Sequence, residues 1–78
     1  MKKSISILGS TGSIGKQALE VIEHHPDHFE VEALVANQNH EMLIQQALKY
    51  NPNVVVIADE SRYNTVSEAL ENTDIKIY

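Results

Sequence analysis

Seventy-eight residues with 42% hydrophobic content leave room for one small domain with a modest core. A formal net charge of −5 argues against a general nucleic-acid binder, which needs a basic face. The absence of cysteine removes disulfides and thiolate metal centres, and no apolar run reaches the length of a signal-peptide core or a membrane span. The expectation is a soluble, cytoplasmic protein.

Ser4 to Leu8 reads as a short strand in which serine alternates with isoleucine. Ile14 to about His25 reads as a helix, with Ile14, Ala18, Val21 and Ile22 as its inner face, and Pro26 ends it. Phe29 to Ala36 reads as a second strand, with Phe29, Val31, Ala33 and Val35 alternating. Asn39 is placed to cap a second helix that runs to about Tyr50, with Leu43, Ile44, Ala47 and Leu48 as its core stripe and Glu41 in its first turn. Asn51-Pro52-Asn53 stops that helix.

Val54 to Ala58 is a continuous, β-branched apolar run, the pattern of a strand buried on both faces of a parallel sheet. Ser61 is placed to cap a third helix reaching about Glu71, with Tyr63, Val66, Ala69 and Leu70 inward, and Ile75 to Tyr78 starts a fourth strand. The order βαβαβαβ with short connections implies an α/β fold: parallel pairing, right-handed crossovers and a Rossmann-like sheet. A doubly wound dinucleotide-binding domain has two such halves, so residues 1–78 read as the first half of one, within a longer protein.

The informative motif lies at the first strand-to-helix junction, Gly9-Ser10-Thr11-Gly12-Ser13-Ile14-Gly15. Its spacing is G-x-x-G-x-x-G rather than the commoner G-x-G-x-x-G. A strand, a glycine turn and a helix N-terminus in that order bind a dinucleotide pyrophosphate. Glycine permits the sharp turn, a missing side chain at Gly12 lets the anion approach, and the helix points free N–H groups at it. Gly15 allows the helix to pack closely on its strand, Ser10, Thr11 and Ser13 offer hydroxyl donors, and Ser13 is suited to the N-cap.

About 20 residues after such a turn, NAD-preferring sites place an acid on the ribose 2′-hydroxyl. Here the second strand ends Ala36-Asn37-Gln38-Asn39, and Glu30 and Glu32 lie at its other end. With no carboxylate to repel a 2′-phosphate, NADP is favoured over NAD, and Asn37, Gln38, Asn39 and His40 are the available donors.

The string Ile7-Leu8-Gly9-Ser10-Thr11-Gly12-Ser13-Ile14-Gly15, followed by Phe29 to Ala36 with Asn39 beyond, closely resembles the start of the 1-deoxy-D-xylulose-5-phosphate reductoisomerase family. The resemblance covers essentially all 78 residues and only the N-terminal, NADPH-binding part of that family. It implies an enzyme of non-mevalonate isoprenoid biosynthesis that uses NADPH and a divalent metal, magnesium or manganese. Such an enzyme isomerises and reduces 1-deoxy-D-xylulose 5-phosphate, a phosphosugar, to 2-C-methyl-D-erythritol 4-phosphate. It further implies a cytoplasmic homodimer at full length, with metal and catalytic residues outside this chain.

By the same resemblance Thr11, Gly12, Ser13 and Ile14 line the cofactor phosphates, and Asn37, Gln38 and Asn39 lie near the adenosine ribose and its 2′-phosphate. The family often has Gly where this chain has Asn37 and a basic residue where it has Gln38, so the chain departs from the pattern at both positions. The alternatives are another NADP-dependent reductase with a similar glycine turn, such as an aspartate-semialdehyde dehydrogenase or an extended short-chain reductase, or a stand-alone nucleotide-binding or redox-sensing module.

Four histidines offer little else. His24 and His28 stand four apart, but Pro26 between them breaks a shared helical face. Asp59-Glu60 reads as a pair of acids opening a helix, Lys16 as a solvated side chain, and the three tyrosines as edge packing.

Overall fold

The computed structural model describes residues 2–78. Strand β1 (Lys3–Leu8) leads through the glycine turn into helix α1 (Ser13–His24), then β2 (Phe29–Ala36), α2 (His40–Tyr50) and β3 (Val54–Ile57). A single 3-10 turn (Glu60–Arg62) opens directly into α3 (Tyr63–Ala69), and β4 (Lys76–Ile77) follows. All pairings are parallel, in the order β1-β2-β3-β4.

Each strand lies beside the one before it, so every crossover steps the same way, and the right-handed rule then puts the helices on one face. Their contacts agree: Glu23 of α1 meets Lys49 of α2 at 3.1 Å, and α2 packs on α3. The reversal of strand order that defines a doubly wound sheet does not fall within the described residues. Among the described residues no helix is long and apolar enough to cross a membrane.

The core is the layer between helices and sheet. Ile7, Val31, Leu34, Ala36, Val55 and Ile57 face Leu19, Ile22, Leu43, Ala47, Val66 and Leu70. On the other face Ser4, Ser6 and Leu8 are exposed, while Ala33, Val35, Val54 and Val56 are half-buried. The serines of β1 therefore lie on the face without helices, and Ser4 Oγ donates to the Glu30 carboxylate at 3.0 Å.

Four inner faces differ from the sequence reading, those of β2, α1, α2 and the third helix. In β2 the expected series Phe29, Val31, Ala33, Val35 is broken. Ile5 pairs with Val31 but Ser6 pairs with Ala33, leaving Glu32 as an extra residue. One inserted residue turns every later side chain to the opposite face, so Leu34 and Ala36 are buried instead. Asn53 holds the irregularity, its N–H on the Glu32 carbonyl at 2.9 Å and its Nδ2 on the Glu32 carboxylate at 2.6 Å.

In α1 the buried residues are Gly15, Leu19 and Ile22, while Ile14 and Val21 are 82% and 55% exposed. Gly15 decides this. It must sit against the turn, and that orientation brings positions 18, 19 and 22 inward and rotates 14 and 21 out. In α2 Gln46 takes the core place expected of Leu48, which is exposed.

The ends of α2 follow the reading. Asn39 Oδ1 accepts the Met42 N–H at 3.2 Å, and Asn51 closes the helix in the left-handed conformation (φ 51°). The third helix is shorter than expected. Asp59, not Ser61, caps its 3-10 entry, and of the expected inner residues Val66 and Leu70 are buried but Tyr63 and Ala69 are exposed.

Candidate cofactor site

Parallel pairing brings the carboxyl ends of β1, β2 and β3 to one edge. The N–H groups of Gly9 and Ser10 both donate to the Val35 carbonyl, at 2.8 and 3.0 Å, and Gly12 N–H donates to the Gly9 carbonyl at 3.0 Å. At the neighbouring ends Ala58 N–H donates to Ala36, and Asp59 N–H to Asn37, both at 2.9 Å. The glycine turn and the Asn37-Gln38-Asn39 turn, far apart in sequence, therefore share one edge through Val35 and Ala36.

The three glycines have three separate reasons. Gly9 has φ +75°, which side-chain-bearing residues rarely adopt. Gly15 has no room: a β-carbon there would lie 2.3 Å from the Gly9 carbonyl oxygen and 2.7 Å from Ser10 Cα. Gly12 has neither constraint. Its backbone is extended (φ −80°, ψ 172°), and an added β-carbon would meet only the Gly9 carbonyl oxygen at 3.4 Å, an ordinary contact. Among the described residues, neither backbone conformation nor a severe clash requires a glycine at 12.

Gly12 is the N-cap of α1, and its carbonyl accepts the Lys16 N–H at 2.9 Å. Ser13 is thus the first helical residue rather than the cap, contrary to expectation. No side chain caps this helix and no acid stands in its first turn, so its opening N–H groups face outward unpaired by side chains. Gly12, Ser13 and Ile14 are exposed and Thr11 is half-buried.

Ser10 is the other departure. It is fully buried, so it offers no donor at the surface. Its carbonyl oxygen accepts from Gln46 Nε2 at 2.8 Å, while Ser10 Oγ and Gln46 Oε1 are buried without a partner. Gln46 is the residue the sequence reading missed; its only trace there is a polar side chain on the apolar stripe of α2.

In the second turn Asn37, Gln38 and Asn39 are exposed. Asn39 spends its side-chain oxygen on the helix cap, whereas Asn37 and Gln38 side chains make no hydrogen bond among the described residues. Asp59 stands beside them. It accepts Ser61 Oγ at 2.6 Å and Ser61 N–H at 3.0 Å, which hold its carboxyl below the usual carboxylate range, and Arg62 at 3.8 Å adds to this. Arg62 is the only arginine of the chain.

The histidines lie elsewhere. His24 Nδ1 is 2.7 Å from the Glu20 carbonyl, and the His25 and His28 rings stack with centroids 6.1 Å apart. Among the described residues no three His, Asp or Glu side chains converge as a metal site. A surface groove between α1 and α2, lined by Lys16, Glu20, Met42, Gln45, Gln46 and Lys49, abuts the turns through Gln46 and Met42 but contains no residue of either turn.

A sequence model of the 1-deoxy-D-xylulose 5-phosphate reductoisomerases matches residues 5–78. The chain belongs to this family. It is 60% identical to the reductoisomerase of Bacteroides thetaiotaomicron over 77 residues and 56% identical to that of Phocaeicola vulgatus over 78. These alignments take in 99% and 100% of this chain, which spans about a fifth of the length of those relatives (20%). The reductoisomerase of Zymomonas mobilis in complex with NADPH superposes with a TM-score of 0.93 at 39% identity, over 99% of this chain and 20% of that one. A reductoisomerase in complex with NADPH, fosmidomycin and magnesium gives 0.90 at 28% identity, over 96% and 19%.

Proposed function

We propose that this chain is the NADPH-binding portion of an enzyme that isomerises and reduces 1-deoxy-D-xylulose 5-phosphate to 2-C-methyl-D-erythritol 4-phosphate. The observation that carries the reading is Gly12, a glycine that neither a positive φ nor a severe clash requires, at the start of a helix that no side chain caps, in a family with an NADPH complex.

The roles divide by edge position. Thr11, Gly12, Ser13 and Ile14 hold the pyrophosphate through backbone N–H groups and the Ser13 and Thr11 hydroxyls. Lys16, in the first turn, is unfavourable beside the positive helix end until an anion binds there. Asn37 and Gln38 lie where the adenosine ribose and its 2′-phosphate are read, as amide donors in place of the usual cation, and Asn39 shapes the turn through its cap.

Bound NADPH supplies a hydride; these residues bind and orient it and take no part in the chemistry. We assign the divalent cation found in a relative's complex to residues outside this chain, on the strength of family membership. The reading extends to a small phosphorylated sugar as substrate and to a homodimeric, cytoplasmic enzyme, on the strength of family membership. The test is turnover by the protein at its native length. NADPH should be consumed when 1-deoxy-D-xylulose 5-phosphate and magnesium are supplied, and absence of both NADPH binding and oxidation contradicts the reading.

A further inference from the structure

We infer that Gln46 is a positioning residue for the cofactor phosphates, acting by orienting the Ser10–Thr11 peptide; this rests on the reading that the glycine turn holds a pyrophosphate. Gln46 lies 36 residues from Ser10, on α2, and is 8% exposed. Its Nε2 donates to the Ser10 carbonyl oxygen at 2.8 Å. A trans peptide is planar, with its C=O and N–H on opposite sides. No cis peptide occurs among the described residues, so drawing the Ser10 carbonyl inward to α2 turns the Thr11 N–H outward. That N–H donates to no protein acceptor among the described residues, and it emerges beside exposed Gly12, Ser13 and Ile14.

The neighbouring peptides have their own restraints. Gly9 and Ser10 N–H are held by Val35, and the Gly9–Ser10 peptide is wedged against Gly15. The Ser10–Thr11 peptide also lies close to Gly15 through the Ser10 carbonyl carbon, but among the described residues its one hydrogen bond is the one from Gln46. Without the amide, the carbonyl is left buried and unpaired, and the peptide is driven to rotate toward water, carrying the Thr11 N–H out of line. The cost of keeping a polar Gln46 with an unpartnered Oε1 in the core is thereby explained by what it holds.

The test uses the protein at its native length and Gln46→Met, which keeps length and flexibility but removes the donor. The KM for NADPH should rise about fivefold or more, a size expected for one lost buried hydrogen bond, with kcat and the KM for the sugar phosphate unchanged. Inhibition by adenosine 2′-monophosphate, which lacks the pyrophosphate, should be unchanged. An unaltered NADPH KM, or equal weakening of both ligands, overturns the inference. A second measurement needs no variant. In the wild-type protein the Thr11 amide should exchange rapidly without ligand and at least about tenfold more slowly with NADPH, as a newly bonded amide does; unchanged exchange overturns the inference. Failure of the wild type to bind NADPH at all would instead defeat the functional reading.

Discussion

Gly15 and Gly9 touch across the turn: a β-carbon on Gly15 would stand 2.3 Å from the Gly9 carbonyl oxygen. This contact locks the start of α1 to the end of β1 and sets which face of the helix is buried. Gly15→Ala must push backbone against backbone, so it should destabilise the protein by about 3 kcal/mol or more, the upper range for overpacking. Thermal denaturation checks this, and an unshifted midpoint would contradict it.

Gly9 makes a different prediction. Nothing lies within 4 Å of the space its β-carbon would occupy, so the cost of Gly9→Ala is conformational only. At φ +75° that cost should be about 1–2 kcal/mol, below that at Gly15. The ranking of the two alanine variants by denaturant unfolding tests the distinction.

Asp59 ties stability to pH. Its carboxyl is held low by the Ser61 hydroxyl and N–H, with Arg62 assisting, so folding favours the ionised form. Its contribution is complete above the ordinary carboxylate range and is lost as pH falls through the lowered folded-state value. Asp59→Ala should therefore melt below wild type at neutral pH, and the gap should close on acidification. A gap that persists in acid would show that the carboxylate charge is not what stabilises the 3-10 turn.

The Asn37-Gln38-Asn39 turn, proposed to read the 2′-phosphate, carries no lysine or arginine. Gln38 is exposed and its side chain makes no hydrogen bond among the described residues, so Gln38→Lys should be tolerated and should add a charge-assisted bond. The ratio of kcat/KM for NADPH to that for NADH should rise roughly tenfold, from about 1.4 kcal/mol. An unchanged ratio would mean that residue 38 does not reach the phosphate.

Asn39 should behave as a structural residue. Its oxygen caps α2, so Asn39→Ala should cost about 1 kcal/mol of stability, a typical cap loss. Asn39→Ser, which can cap equally, should restore it, as thermal melts would show.

Much of this was legible in the residues themselves. Strand β2 runs from Phe29 to Ala36 as read, because alternation and flanking turn residues bound it on both sides. Asn39 and the polar turn before it are local signals, and so is the glycine spacing. What could not be read depends on contacts between distant segments. The extra residue at Glu32 leaves no mark on composition, yet it exchanged Ala33 and Val35 for Leu34 and Ala36 in the core. Ile14 and Val21 looked like core by hydrophobicity, but the packing of Gly15 on the turn rotated them outward. Ser10 read as a surface hydroxyl donor and Gln46 carried no signal of its own, yet the two bury together, with Gln46 on α2 donating to the Ser10 carbonyl.

Gly12 is the residue we propose to be reserved for an approaching anion. The most direct measurement is NADPH binding by Gly12→Val in the protein at its native length, with circular dichroism recorded on the same sample. An extended backbone at residue 12 accommodates valine, so the fold should persist while NADPH affinity is lost. A well-folded Gly12→Val protein with wild-type NADPH affinity would contradict the assignment of the glycine turn as the pyrophosphate cradle.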